Sequence, residues 1–321
     1  MTFTLYLGDA LDAYPYWDTP DVIVSDGAYG ISGFPGDPSK PEGLASWYEP
    51  HVVAWSNAAT TKTTLWFWNT EIGWANTHPV LAAHGWKYVE CCVWDKGAGH
   101  VAGRVNSKTM RTLPVTTELC VLYERQPEFD YATSSMRDWM RSEWARTGLP
   151  WRETNSACGV KDAATRKYFA SDDCWYPPPP ERFKLLVDYA NKHGAPTNTP
   201  YFFNQNSLGI PSPVWERRTW NYPEGWRNVW NRPPLRGDER IKSRPGSGAS
   251  MHSCQKPLDL MDMTIRASSN PGDVVWEPFG GLGGAAVAAI NSGREAFVAE
   301  VNADYQPILR QRLHNASHAV V

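Results

Sequence analysis

Two kinds of apolar pattern alternate along most of the chain. Short runs of consecutive apolar residues predict buried strands, and longer segments with apolar residues three or four positions apart predict helices. The predicted strands are 3–7, 21–25, 64–68, 88–94, 118–123, 273–277 and 296–301, and the predicted helices are 47–60, 79–84, 255–269 and 284–292. Such alternation is typical of an α/β architecture whose mostly parallel sheet is covered on both faces.

The alternation stops between residues 126 and 250. This stretch includes four consecutive prolines at 177–180 and many scattered Trp and Arg residues. Residues 131–250 contain 18 Lys and Arg against 12 Asp and Glu, whereas the remainder has 13 against 22. A basic excess concentrated in one segment favours a surface that faces nucleic acid. We therefore predict one sheet domain, built from residues 1–125 and 251–321, that is interrupted by a basic insertion at 126–250.

A helix-turn-helix pattern lies within this insertion. Residues 136–147 have helical composition, and residues 151–169 predict a helix, a turn at Gly159 and a second helix. The second helix would expose three basic side chains, Lys161, Arg166 and Lys167. Helix-turn-helix proteins place such a second helix on DNA. An ordinary helical hairpin explains the same pattern equally well.

The overall composition is that of a globular protein, with 42% hydrophobic residues and a net charge of -3. The six cysteines show neither the spacing of a zinc site nor that of a disulfide framework, so we expect reduced thiols and no metal. The first residues lack the pattern of a signal peptide, and no apolar run approaches the ~20 residues of a membrane span. A cytoplasmic protein without membrane association is expected.

A glycine-rich turn follows the predicted strand 273–277. Glu277, Pro278 and Phe279 lead into four glycines, at positions 280, 281, 283 and 284, and a helix is predicted next. Such a turn lets the backbone approach a nucleotide closely, with N–H groups at the helix start facing the ligand. Glu300 ends the next strand about 20 residues later, where ribose hydroxyls need an acceptor. A nucleotide cofactor is predicted here, although tight strand-to-helix packing alone would also explain the glycines.

The predicted strand 21–25 ends in a second chemically informative segment, Ser25 to Gly30. The Asp26 carboxylate and the Gly27 carbonyl can accept the two hydrogens of an amino group on a flat base. Tyr29 can stack on the ring of that base. The alternative is an acidic turn that caps a helix, with Tyr29 packed in the core.

Together these segments resemble the amino-DNA-methyltransferases, in the subgroup whose catalytic motif precedes its cofactor motif (beta-type order). Asp26 and Tyr29 match the outer positions of the family tetrapeptide Asp/Asn/Ser-Pro-Pro-Tyr/Phe. The family's cofactor turn is usually Asp-Pro-Phe-x-Gly-x-Gly, to which Glu277, Pro278, Phe279, Gly281 and Gly283 correspond. Upstream, residues 255–258 look like the family's Gln-Lys-Pro segment, and residues 228–230 fit the family sequence that precedes it. Residues 8–9 resemble a family position near the cofactor's adenine.

The resemblance implies a Rossmann-like methyltransferase fold with a mostly parallel seven-stranded sheet and S-adenosylmethionine as cofactor. The residues implied to hold the cofactor are Asp9, Lys256, Pro257, Glu277, Phe279, Gly281, Gly283 and Glu300. Asp26, Gly27 and Tyr29 would direct methyl transfer to the exocyclic amine of a base flipped out of double-stranded DNA. Catalysis would then consist of positioning and electrostatics, without a metal or a covalent intermediate.

One departure from the family falls inside the catalytic motif. Gly27 and Ala28 stand where the family has two prolines, which preset an extended backbone and so aim the intervening carbonyl. The additional freedom of a glycine costs about 0.5 to 1 kcal/mol, which is small beside the energies of a transfer reaction. We therefore predict an active enzyme. A DNA-binding relative that has lost catalysis is the alternative.

The resemblance gives a weaker basis for choosing the target base than for assigning the family. In the family, Asp at the position of Asp26 accompanies adenine more often than cytosine, so adenine N6 is favoured over cytosine N4. The residues expected to contact DNA are Lys161, Arg166, Lys167, Arg217, Arg218, Arg227, Arg236 and Arg244. An RNA methyltransferase and, less favoured, a nicotinamide oxidoreductase are the alternatives among enzymes. Whether a cognate restriction endonuclease accompanies the protein is left open.

Overall fold

A computed structural model of the chain describes residues 3–34, 36–100, 108–125, 136–172, 174–203, 218–242, 251 and 254–318. Internal contacts divide the chain into two compact units. The sheet unit comprises Met1–Arg125 and Arg218–Val321, and the insertion unit comprises Gln126–Arg217. Residues from Arg218 onward therefore belong to the sheet unit, whereas the sequence pattern placed residues up to 250 in the insertion.

The described part of the sheet unit contains a mixed sheet of eight strands, one more than the resemblance implied. In chain order the strands are β1 (Phe3–Leu7), β2 (Val22–Ser25), β3 (Thr64–Asn69), β4 (Trp86–Asp95), β5 (Thr117–Arg125), β6 (Val229–Asn231), β7 (Val274–Glu277) and β8 (Glu295–Glu300). They lie in the order β1-β8-β7-β2-β3-β5-β4-β6. Among the strands of the described residues, β5 alone runs antiparallel to its neighbours. The additional strand is the three-residue β6, which pairs with β4 at the edge.

The middle of the sheet is covered on both faces, as the apolar runs predicted. Every residue of β3 is buried, and successive residues pack into opposite cores because strand side chains alternate between faces. Trp66 and Trp68 join the core on one face, and Leu65 and Phe67 join the core on the other. A strand flanked by two cores has no solvent face, which explains its lack of polar alternation.

Helices of the sheet unit cover these two faces separately. Residues of α1 (Ala10–Ala13), α2 (Leu44–Ala58) and α3 (Glu71–Ala83) belong to one core, and residues of α7 (Leu258–Ser268), α8 (Gly284–Asn291) and α9 (Gln306–His318) belong to the other. The predicted helix 79–84 is only the end of α3. Its polar start is fixed by Thr70, whose hydroxyl accepts a hydrogen bond from the Gly73 N–H at 3.1 Å.

The insertion unit has a core of its own, rich in aromatic side chains. Its helices are α4 (Met136–Arg146), α5 (Glu153–Ala157) and α6 (Pro180–His193), and a five-residue π-helical turn covers Ala164–Tyr168. Trp139, Trp144 and Phe183 are among the buried residues at its centre. The chain pattern did not predict α6, which begins at Pro180, the last residue of the proline run, because proline is well suited to the first helical turn.

The prediction of a second α-helix in the helix-turn-helix is wrong. Gly159 does form a turn, with φ of +62°. The segment that follows is the single π turn Ala164–Tyr168, and α5 before the turn has only five residues. Arg166 and Lys167 are exposed on this π turn, and Lys161 is exposed before it. The basic residues therefore lie on a short irregular surface rather than on a recognition helix.

Candidate active site

The predicted cofactor turn and the predicted catalytic motif lie side by side at one edge of the sheet. Asp26 follows β2 directly, Glu277 ends β7 and Glu300 ends β8. These three strands are parallel neighbours, with β7 between β2 and β8. Ligands of open α/β sheets bind outside the carboxyl ends of the strands. Two segments about 250 residues apart in sequence are thereby brought to a single candidate site.

Asp26 is held by Lys256, which the sequence had assigned to the cofactor. The Lys256 Nζ atom lies 2.7 Å from Oδ1 and 3.0 Å from Oδ2 of Asp26. The Tyr29 hydroxyl oxygen also lies 2.9 Å from Oδ1. Only 2% of the Lys256 side chain is exposed. Burial disfavours its charged form, but the carboxylates of Asp26 and Glu118 outweigh burial and raise the pKa of Lys256.

Sequence reasoning missed Glu118 and Lys96, which complete this group of charges. The Oε1 atom of Glu118 lies 2.9 Å from Lys256 Nζ and accepts a hydrogen bond from the Tyr29 hydroxyl at 2.5 Å. Its Oε2 atom lies 2.8 Å from Lys96 Nζ. Burial favours the neutral acid, yet the two ammonium groups and these hydrogen bonds lower the pKa of Glu118 to about 2. We call Asp26, Lys96, Glu118 and Lys256 the charge cluster.

Strand direction explains why Glu118 reaches this edge. Because β5 is antiparallel, its first residues lie at the edge where the parallel strands end. Glu118 pairs in register with Trp94 near the end of β4, and Lys96 follows that strand. The sequence offered one clue, an acidic residue at the start of the apolar run 118–123, but nothing local to pair with it.

The Gly27–Ala28 segment is fixed by packing where the family uses prolines. A Cβ atom at Gly27 would lie 2.7 Å from the Phe279 ring and 2.9 Å from the Tyr48 hydroxyl. Phe279 therefore lies directly against the Gly27 backbone. Ala28 is fully buried, and its carbonyl accepts hydrogen bonds from Tyr48 Oη at 3.0 Å and Asn69 Nδ2 at 2.9 Å. These contacts hold the backbone without a proline ring.

The glycine turn depends on conformations that glycine adopts readily. Gly281 has φ of +51° and Gly283 has φ of +71°, values that favour glycine over residues with side chains. The Glu277 carboxylate does not face open space, because its two oxygens accept hydrogen bonds from Ala285 N at 2.9 Å and Ala286 N at 2.8 Å. Burial raises the pKa of Glu277 to about 7 against the opposing effect of these bonds. Glu277 thus anchors the start of α8.

Glu300, the predicted ribose acceptor, is held by two backbone N–H groups. Its Oε2 atom accepts a hydrogen bond from Gly281 N at 2.5 Å, and its Oε1 atom accepts one from Asn302 N at 2.6 Å. Each carboxylate oxygen has a second acceptor site for a ligand hydroxyl. Burial raises the pKa of Glu300, and these backbone bonds oppose the rise. Asp9 caps α1 by accepting from Leu11 N at 3.0 Å, and the neighbouring Gly8 N donates to the Glu300 carbonyl at 3.0 Å.

The expected DNA-contacting residues are divided between the two units. Arg227 and Arg236 are exposed in the sheet unit. Arg218 is half-buried there, pairs with Glu124 at 3.2 Å and lies over the Trp220 ring. Lys161, Arg166 and Lys167 are exposed in the insertion unit, whereas Arg217 and Arg244 lie outside the described residues. Arg218 therefore has a structural role of its own.

Two further properties concern the described residues as a whole. None of their helices is long and apolar enough to cross a membrane. Within the same ranges, no group of three or more His, Cys, Asp or Glu residues is arranged to hold a metal ion.

The sequence of residues 15–311 matches the N6/N4 DNA methylase family. A curated relative, DNA adenine methyltransferase YhdJ of Escherichia coli (strain K12), is 45% identical over 67 residues, 21% of this chain and 23% of that protein. Type II methyltransferase M.HinfI of Haemophilus influenzae is 39% identical over 87 residues, 27% of this chain and 24% of that protein. The matched segments thus span about a quarter of these relatives' length.

Solved structures share the fold over nearly the whole chain. The complex of M1.HpyAVI with SAM gives a TM-score of 0.54 at 14% identity, covering 97% of this chain and 99% of that one. The cytosine-N4-specific PvuII DNA methyltransferase gives a TM-score of 0.55 at 11% identity, covering 99% and 92%. At such low identity these similarities show the fold alone.

Proposed function

Since this chain belongs to the N6/N4 DNA methylase family, we propose that it methylates the exocyclic amine of a base flipped out of double-stranded DNA. The observation that carries the proposal is the position of Asp26 and Tyr29, at the end of β2 and beside the glycine turn after β7. S-adenosylmethionine is the cofactor of such DNA methyltransferases. When bound, it supplies a methyl group activated by attachment to a positively charged sulfur.

The cofactor side of the site is formed by the turn between β7 and α8. The positive φ of Gly281 shapes the turn toward the ligand, Gly283 makes room for Leu309 beneath it, and Glu300 retains acceptor sites for ribose hydroxyls. Asp9, Phe279 and Pro257 are proposed to contact the rest of the cofactor, as the family resemblance implies. Glu277 would position the turn indirectly, because its carboxylate binds the backbone N–H groups at the start of α8.

The base side of the site is formed by the segment after β2. Asp26 and the Gly27 carbonyl would accept the two hydrogens of the target amine, which leaves the nitrogen lone pair directed at the methyl group. Tyr29 would stack on the base, with its hydroxyl restrained by Asp26 and Glu118. As the amine takes the methyl group, the methyl–sulfur bond would break and the thioether product would leave. The Asp26 carboxylate would stabilise the positive charge that develops on the amine until one of its hydrogens is released to solvent as a proton.

Adenine N6 is the proposed target atom. Support comes from Asp26 at the first motif position and from the relative named as a DNA adenine methyltransferase. The cytosine-N4-specific structure shares only the fold, so it does not favour cytosine. Mass spectrometry of nucleosides from DNA treated with the protein and S-adenosylmethionine tests this choice. N6-methyladenine is expected, and N4-methylcytosine would replace adenine by cytosine as the target.

The remaining parts of the proposal concern organisation and substrate. We place the chain in the subgroup with beta-type order, because Asp26 to Tyr29 precede the glycine turn in sequence. The insertion unit is proposed to contribute to target recognition through the exposed residues Lys161, Arg166 and Lys167. Competition between equal amounts of DNA and RNA at one salt concentration tests the substrate class, since phosphate contacts alone do not distinguish them. Preferential methylation of RNA would overturn the DNA assignment.

Matches to type II methyltransferases support the proposal of a companion restriction endonuclease.

A further inference from the structure

In the charge cluster, Lys256 occupies the carboxylate of Asp26 that the target amine would need. Lys256 donates to both oxygens of Asp26, at 2.7 and 3.0 Å. Its ammonium group also lies 5.1 Å from the centre of the Tyr29 ring. Under the proposed function, the target amine needs the Asp26 carboxylate and the base needs the face of Tyr29. The ammonium of Lys256 and the amine of the base therefore compete for the same acceptor.

Lys256 cannot simply release Asp26, because its side chain is buried. An unpaired ammonium in such a place costs several kcal/mol. Glu118 already contacts the ammonium at 2.9 Å, so when the target amine takes the place of Lys256 at Asp26, a small displacement leaves the ammonium on Glu118. Lys96 neutralises Glu118 from the opposite oxygen, at 2.8 Å. With two carboxylates and two ammonium groups, the exchange leaves the total charge of the cluster unchanged.

We infer that Glu118 is a positioning residue of the site: it keeps the Lys256 ammonium paired when the target amine occupies Asp26, and it restrains the Tyr29 hydroxyl meanwhile. This inference rests on the proposed function. Glu118 does not touch the reacting atoms. It acts through Lys256 and Tyr29, with Lys96 as its counter-charge.

The test is the substitution Glu118→Gln, which keeps the size of the side chain and removes its charge. Lys256 would then have Asp26 as its only carboxylate partner in the cluster, so the target amine would have to displace it at a greater cost. We expect kcat for methylation of unmethylated phage DNA to fall at least about tenfold. The KM for S-adenosylmethionine is expected to change little. The thermal unfolding midpoint is expected to fall, because Lys96 and Lys256 each lose a carboxylate partner, so kcat is expressed per folded protein. A purely structural role would lower activity only in proportion to the folded protein.

Glu124→Gln is the matched control, because Glu124 lies on the same strand and forms ion pairs with Lys87 and Arg218, both at 3.2 Å. It is expected to retain wild-type kcat. If wild-type protein methylates DNA and Glu118→Gln retains the same kcat, or loses it only in proportion to lost folded protein, the inference is wrong and the proposed function stands. If wild-type protein transfers no methyl group to DNA, the proposed function itself fails.

A second pair of variants covers a failure of Glu118→Gln to fold. Glu118→Asp keeps the charge and withdraws the carboxylate from Lys256 by one methylene, and Glu124→Asp is its control. A lower kcat for Glu118→Asp alone, at an unchanged KM for S-adenosylmethionine, supports the positioning role. Equal kcat values for the two variants would overturn it.

Discussion

The carboxyl edge of the sheet and the surface of the insertion unit both present charged residues, but they hold them in opposite ways. At the sheet edge, Lys256 and Glu118 are buried and each contacts more than one partner of opposite charge. On the insertion unit, Arg166 is exposed and forms an ion pair with Asp162, which is also exposed, at 3.2 Å. Buried pairs fix geometry, whereas exposed pairs contribute 0 to about 1 kcal/mol and remain available to other partners.

The difference indicates that the sheet edge is suited to catalysis and the surface of the insertion unit to recognition. A methyl-transfer site needs groups fixed within a fraction of an ångström, which the packed sheet edge supplies. Binding to a polyanion needs accessible charge, which the insertion surface supplies. Substitutions in the first region should therefore affect turnover or folding strongly, and those in the second should affect affinity modestly.

The largest effect is expected for Asp26→Asn, which removes the charge that stabilises the developing cation and that pairs with Lys256. Methyl incorporation into DNA should fall by about a hundredfold to a thousandfold. Radiolabelled S-adenosylmethionine provides the measurement, and Asp304→Asn, at an exposed position, is the control. Wild-type incorporation by Asp26→Asn would remove Asp26 from the proposed site.

Glu277 tests how the stability of the sheet edge changes when a buried carboxyl group ionises near neutral pH. Its pKa is raised by burial to about 7 in the fold, so the stabilisation it gives is present at low pH and is lost as pH rises through 7. The loss is at most about 3 kcal/mol for one such group. Thermal unfolding between pH 5 and 8 should show the decline in wild type and a flatter profile in Glu277→Gln. Identical profiles would contradict this account.

Gly27→Ala tests the packing that replaces the prolines of the family. The new methyl group would lie 2.7 Å from Phe279, so we expect a loss of about 2 kcal/mol in the free energy of unfolding and a fall in kcat. Denaturant unfolding measures the first and methyl incorporation the second. Gly99→Ala is the control, since its nearest neighbour outside the chain segment is 3.5 Å away. Adding Phe279→Leu should recover part of the lost stability, and no recovery would contradict the assigned contact.

The smallest effect is expected for Lys167→Ala on the insertion surface. Removing one phosphate contact should reduce the slope of log affinity against log salt by about 0.9 and weaken binding a few-fold at low salt. Fluorescence anisotropy with labelled duplex DNA measures both quantities, and stability should be unchanged because Lys167 is exposed. Lys184→Ala, exposed on α6, is the control. Equal slopes for the two variants would remove Lys167 from the proposed interface.

Most elements of the sheet unit were predictable because their apolar patterns are strong. The predicted strands 3–7 and 64–68 correspond to β1 and β3, and the predicted helix 255–269 contains α7. The insertion was less predictable. The second helix predicted there is a π turn, and α6 was not predicted because it starts in a proline run. A local pattern does not show which other segments a given segment will pack against.

The candidate site shows the same division. Asp26, Tyr29 and Glu300 could be proposed from sequence, because each ends or follows a strand in a recognisable motif. Glu118 and Lys96 could not, since their partners lie far away in the chain and only the antiparallel direction of β5 brings Glu118 to the edge where β2 ends. Lys256 was found, but its contact with Asp26 was not.

The sequence by itself determined the α/β class, the two motifs and the family resemblance, because these depend on local patterns of apolar residues, glycines and acids. Only the tertiary structure decided what each charge pairs with. It placed Lys256 between Asp26 and Glu118, turned Glu277 toward the start of α8, and set Phe279 against Gly27. Such contacts depend on strand order and direction, which are properties of the whole packed chain and not of any segment of it.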